Sequence, residues 1–182
     1  VNSASLIPST NDFSVFLWIA YTNEPARTGQ KHLFSCNGGQ ANRCALMVDS
    51  GTPTGTVGWW HDGGSSRQGT ALINDGAWHH VGLTRTGGAI QLWVDGVRDG
   101  SASAPSTTPI SQAQDWRLAA GVSESSVWSF AGKMDDLRVY QGALTEEEVA
   151  ALTASYIPAQ AMHRWRLNEA SGAARFAPDS GW

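Results

Sequence analysis

The run WHHVGLTRTGGAIQLWVDGVRDG, from Trp78 to Gly100, leaves this chain little choice of secondary structure. Val81 and Leu83 alternate with small or polar neighbours, and Ile90, Leu92 and Val94 repeat the pattern. A period of two puts the apolar side chains on one face of a strand. TGG at 86–88 turns the chain between the two runs and DG at 95–96 turns it again, since glycine accepts the positive φ of tight hairpin turns. Further strands are expected in FSVFLWIA (13–20), TVGWWHD (56–62), TALI (70–73), WRLAA (116–120) and GKMDDLRVYQ (132–141). The first of these is apolar on both parities, as in a strand covered on both faces. Short strands separated by turn signals predict an all-β sandwich or jelly roll.

One helix interrupts the pattern. LTEEEVAALTASY (144–156) carries Thr145 as N-cap and Glu148 three residues later, a capping box. Glu146, Glu147 and Glu148 also complement the helix dipole, which accounts for the acidic start without a metal. Val149 and Leu152 share a side, so the helix is expected to pack over one end of the sandwich.

Composition narrows the setting. A chain of 182 residues fits one domain with a sizeable core. Only 15% of residues are charged, against 20 glycines and nine tryptophans, which suits a secreted β-protein better than a cytosolic helical one. A formal charge of −4 provides no basic stripe for nucleic acid. No apolar run approaches the ~20 residues of a membrane span, and no signal-peptide pattern is visible. A start at Val1 reads as a processed product or a fragment. The expected location is extracellular, at a cell or particle surface. Cys36 and Cys44 flank the turn-rich NGGQANR between the strand-like KHLFSC and CALMVD. A hairpin there brings both sulfurs to the loop base, and a disulfide is expected, contributing roughly 2–3 kcal/mol if unstrained.

The segments DGAWHHVGLTRTGGAIQLWVDGV and FAGKMDDLRVYQGALTEEEVAAL carry a resemblance. Their W-H-H-V strand, L-x-V-D-G turn, G-x-x-D-D-x-R-x-Y strand and A-L-T-x-E-E helix resemble the laminin G-like branch of the concanavalin A-like lectin/glucanase superfamily. The similarity runs from Phe13 to about Ala154 and is loose over 97–130. It implies a jelly roll of two antiparallel sheets. That superfamily holds sugar-binding modules, adhesion domains and glycan-cleaving enzymes, so the fold leaves function open.

The resemblance makes the tail conspicuous. HRWRLNEASG, from His163, is similar to the segment that opens the domain in relatives, beside the strand corresponding to MDDLRVY. Here it comes last. Residues 1–157 are therefore read as the domain, and 158–182 as an extra strand and turn. That extra piece begins a next repeat, completes the same sandwich by permutation, or pairs with a neighbouring molecule. His163, Trp165 and Leu167 alternate with Met162, Arg164 and Arg166, an apolar face that wants a sheet. Pairing of 162–168 with a strand is expected, most simply within the chain, with subunit contacts through 159–182 as the alternative.

Catalysis is not expected. Glycan cleavage needs two carboxylates about 5–10 Å apart, and the E-x-D-x-x-E strand of the superfamily's hydrolases has no counterpart. The GGSSRQG loop (63–69) lacks the spacing of a serine nucleophile. His79 and His80 are adjacent on a strand and face opposite ways, so they cannot share a zinc ion. Asp135 and Asp136, with Glu169 and Asp179 if the tail returns, are a candidate structural calcium site, since hard cations collect carboxylate oxygens.

Binding is better supported by the tryptophans. Trp59 and Trp60 are consecutive, so one should face inward and the other outward. An exposed indole stacks on the C–H face of a sugar while polar neighbours fix hydroxyls. Trp60, His61, Asp62 and Arg67 offer that mixture, and Trp128 is a second candidate. The expectation is a noncatalytic extracellular module that binds a glycan or cell-surface polysaccharide or mediates adhesion. The alternative is a structural assembly protein, a filament subunit or particle decoration protein, built from the same jelly roll.

Overall fold

A computed structural model describes residues 7–8, 10–22, 29–37, 42–49, 54–110, 115–121, 128–156 and 158. Ten strands follow one another: β1 (Phe13–Ala20), β2 (Lys31–Asn37), β3 (Cys44–Val48), β4 (Val57–His61), β5 (Arg67–Gln68), β6 (His79–Thr86), β7 (Ala89–Val94), β8 (Val97–Asp99), β9 (Asp115–Leu118) and β10 (Lys133–Gln141). A single helix, α1 (Glu146–Ser155), closes the described fold. The strands form two five-stranded antiparallel sheets, ordered β10-β1-β6-β7-β8 and β5-β4-β3-β2-β9. The architecture is the expected sandwich. No helix among the described residues is long and apolar enough to cross a membrane.

The main core lies between the sheets. Val15, Leu17, Val81, Leu83 and Leu92 from one sheet meet Phe34, Leu46, Val48 and Trp59 from the other, all at most 1% exposed. β1 is buried at all eight positions, because its second face is also covered. There Phe16 and Trp93 pack against Val149 and Leu152 of α1. The helix therefore lies across the outer face of the first sheet rather than over an end of the sandwich. Its expected capping box is present: Glu148 N donates to Thr145 Oγ1 and Thr145 N donates to the Glu148 carboxylate.

The second layer leaves no room for a side chain at Gly82. A Cβ there would run into the Val15 carbonyl and the Phe16 ring. Since one obstacle is backbone, Gly82→Ala is expected to destabilise by about 3 kcal/mol, the upper end for overpacking. Urea unfolding checks this, and a loss under about 0.5 kcal/mol would show the layer to be loosely packed.

Two local expectations change. TALI (70–73) is not a strand, because the amides of Thr70 and Ala71 donate to Asp99 Oδ1 at 2.8 and 3.0 Å instead of to a neighbouring strand. GGSSRQG contains a short strand, β5, paired to β4. Cys36 and Cys44 do face each other across the β2–β3 hairpin, in register and fully buried. Both carry thiols, and the expected disulfide is not formed. Burial, with a hydrogen bond to Cys36, raises the Cys44 pKa well above its usual value, which disfavours the thiolate that oxidation requires.

Candidate functional site

β4 separates its two tryptophans as a strand must. Trp59 lies opposite Leu46 in the core and is 1% exposed, whereas Trp60 lies opposite Ala45 and is half-buried on the outer face. Arg43, which leads into β3, carries its guanidinium over the Trp60 ring, 5.4 Å from the centroid. Its Nε stands 3.5 Å from Asp62 Oδ2. The Asp62 amide donates to the Arg43 carbonyl at 2.8 Å, so backbone fixes the pair. A cation over an exposed ring contributes about 0.5–1 kcal/mol and a partly exposed ion pair at most about 1 kcal/mol. Register, not charge, therefore holds the cluster. The buried Arg43 Nε–H has no hydrogen-bond acceptor among the described residues. An indole, a guanidinium and a carboxylate thus stand together, each partly exposed.

The expected group divides. His61 points to the opposite face from Trp60, 6% exposed, with Nε2 3.2 Å from the Pro109 carbonyl and its ring against Trp59. Burial lowers its pKa, with the Pro109 carbonyl working the other way. Arg67 lies opposite Trp59 and so also leaves the Trp60 face. Asp62 remains beside Trp60. Arg43 joins them, and its only sequence signal is the hairpin register that sets Cys44 opposite His61 and so brings Arg43 to Asp62.

Trp128 stacks on His32, with centroids 5.7 Å apart and planes at 16°. His32 lies opposite Met47, two residues along β3 from Ala45, so the stack stands on the same face as Trp60. Strand spacing puts the His32 and Trp60 backbones roughly 12 Å apart. Burial pushes the His32 pKa down to about 4, so this ring is neutral at physiological pH.

The acidic pair on β10 is occupied from within. Asp135 accepts from the Asp136 amide at 2.8 Å and from Tyr156 Oη at 2.7 Å. Asp136 takes both Nε and Nη2 of Arg138 at 2.9 Å. These contacts already engage both carboxylates, and no cluster of three or more metal ligands occurs among the described residues. Glu169 and Asp179 lie outside the described residues.

The geometry so far is that of a jelly roll with an aromatic outer face. A family model described as the concanavalin A-like lectin/glucanases superfamily, of laminin G type, matches residues 1–150. The chain belongs to this family. Among solved structures, this laminin G-type domain is similar to domain 4 of a GH43 extracellular arabinanase from Geobacillus stearothermophilus in complex with arabinotriose. The TM-score is 0.62 at 23% identity, over 81% of this chain and 68% of that one. It is also similar to the CBM40 of a Ruminococcus gnavus IT-sialidase bound to α2,3 sialyllactose, at TM-score 0.63 and 17% identity, over 80% and 84%. A heptameric SAP-like pentraxin from Limulus polyphemus gives a TM-score of 0.58 at 21% identity, over 81% and 71%. At such identities the likeness is one of fold. Among curated proteins, no sequence match was found.

Proposed function

We propose that this domain is a noncatalytic extracellular glycan-binding module whose sugar platform is the outer face of Trp60. The observation that carries the reading is the half-buried indole with the partly exposed Arg43 guanidinium over its ring and the Asp62 carboxylate beside them. The ring supplies apolar area to the C–H face of a pyranose or furanose. Arg43 donates to, and Asp62 accepts from, hydroxyls at its edge. Trp128, on the same face, provides a second contact for a longer oligosaccharide. Structures of similar fold that carry arabinotriose or sialyllactose support a carbohydrate ligand in general and leave the sugar open.

Calorimetric titration with arabino-oligosaccharides, sialyllactose and a broader glycan panel tests this. Trp60→Ala is expected to weaken binding of the responding glycan by about 10- to 100-fold, the loss of one well-packed aromatic contact. His61→Ala, changed on the opposite face, is expected to leave affinity within about twofold in protein that remains folded. Unchanged affinity in Trp60→Ala contradicts the placement of the site. A panel without any binder contradicts the reading itself.

A further inference from the structure

β10 is the outermost strand of its sheet and, among the described residues, is bonded only to β1. It is nine residues long, and none of the nine is buried, whereas every residue of the adjacent β1 is. Met134, Leu137 and Val139 pack against the core but stay partly open. A bulge opposite Leu17, with Asp136 at φ 47°, and Lys133 blunt the first half of this edge. Leu137–Gln141 continues without such a device. A long edge of this kind presents unpaired N–H and C=O groups to another strand.

We propose that this edge is a docking strand for residues 162–168 of a second copy of the chain, entering antiparallel to β10. The segment MHRWRLN matches the edge on both faces. With Trp165 and Leu167 turned inward, they extend the row formed by Met134, Leu137 and Val139. Arg164 and Arg166 then fall on the side where Asp135 meets Tyr156 and Asp136 meets Arg138. Opposite charges across strands add to the pairing.

The path of the chain selects the second copy. α1 starts just beyond the end of β10, where Leu144 N donates to Ser14 Oγ, and Ser14 is the register partner of Tyr140. The helix then runs back, so that Tyr156 reaches Asp135 near the beginning of β10. An antiparallel strand must begin opposite Gln141, roughly 20 Å away at strand rise. The six steps from Tyr156 to residue 162 would bridge that gap only if fully extended, and Pro158 lies in a 3₁₀ turn that shortens them. From its own chain the segment would enter parallel to β10. Parallel strands read as near-continuous apolar runs, not as the alternation seen here. Every strand pair in both sheets is antiparallel. One chain's tail on the next chain's edge is a heterologous contact, which closes as a swapped pair or propagates.

Light scattering coupled to size exclusion, on the full chain over a range of concentrations, tests the proposal. The expected result is a dimer or larger species that falls to monomer on dilution. Trp165→Ser is expected to raise the midpoint concentration by about tenfold or more. Excess synthetic peptide of residues 160–172 is expected to convert the unmodified chain to monomer, a readout that does not depend on how the variant folds. A chain that is monomeric at every concentration overturns the proposal. So does an oligomer indifferent to both the peptide and Trp165→Ser. No sugar enters these measurements, so their outcome is independent of the glycan reading.

Discussion

Lys31→Met is expected to lower stability by about 3–5 kcal/mol, the cost of leaving a buried charge without its partner. Lys31 Nζ lies 2.7 Å from Asp49 Oδ2, and the two side chains are 2% and 0% exposed. Asp49 is an organising residue, with left-handed backbone at φ 57°. Its Oδ1 accepts from the Gly55 amide at 2.7 Å and from Tyr21 Oη at 3.4 Å. Burial first, and then the charge of Asp49, push the Tyr21 pKa up. Without Lys31 that carboxylate stays buried but loses its cation. For a domain of this size the melting temperature should fall by roughly 10 °C. Adding Asp49→Asn removes the stranded charge while keeping an acceptor for Gly55 and a side chain tolerant of positive φ. The double variant is therefore expected to recover a good part of the loss. Denaturant unfolding of the three proteins decides it. A single-variant loss below about 1 kcal/mol would mean that water reaches Asp49.

Mild acid is the second large effect. His80 is 2% exposed, stacked on Phe16 at 5.3 Å, with Nδ1 2.7 Å from Thr153 Oγ1 of α1. Burial lowers its pKa to about 4, as it does for His32. The nearby Asp136 and Asp95 oppose that shift for His80, and Arg138 adds to it. The unfolded chain binds a proton at each site near pH 6.5, and the folded chain only near pH 4. Their contribution is thus complete above about pH 6.5 and is lost as pH falls to about 4, at about 3 kcal/mol per histidine. His61 shifts in the same direction. His79 has the opposite sign. Burial works against its charge, but hydrogen bonds to Asp95 and Asp75, at 2.7 and 3.1 Å, raise its pKa overall. Its contribution is present below pH 6.5 and fades as pH rises through its folded pKa. Melting temperature should therefore drop by roughly 10 °C or more between pH 7 and pH 4.5. His80→Gln should remove about half of that slope. A flat profile over this window would show that both rings are accessible to solvent protons.

The sandwich could be read from the sequence because alternation and turn glycines are local. The 79–94 hairpin, the capping box at Thr145 and the doubly covered strand at 13–20 all follow from neighbours a few residues apart. What failed depends on distant partners. TALI has the composition of a strand, but Asp99, some thirty residues on, takes its amides. The position of α1 depended on outward-facing Phe16 and Trp93, whose apolar face was visible but whose cover was not. At the candidate site, strand parity correctly set Trp59 inward and Trp60 outward. The same parity removes His61 from the group, a consequence of treating neighbours in sequence as neighbours on a face. Arg43 and the Lys31–Asp49 pair become visible only once the β2–β3–β4 register is known. The tail's pattern remains legible, but residues 159–182 lie outside the described structure.

The central claim is that the Trp60 face binds a glycan, and the nine tryptophans make it directly observable. Indole N–H signals of the isotope-labelled chain, assigned by single Trp→Phe variants, should be followed while the best glycan of the panel is titrated in. The account predicts that the Trp60 signal moves in proportion to occupancy and that Trp128 moves with longer oligosaccharides. Buried Trp59 and Trp93 should stay in place. Saturable binding that leaves Trp60 unmoved and instead shifts backbone signals at the open groove of about 510 Å³ lined by Asn11, Asp12 and Gln141 would contradict it.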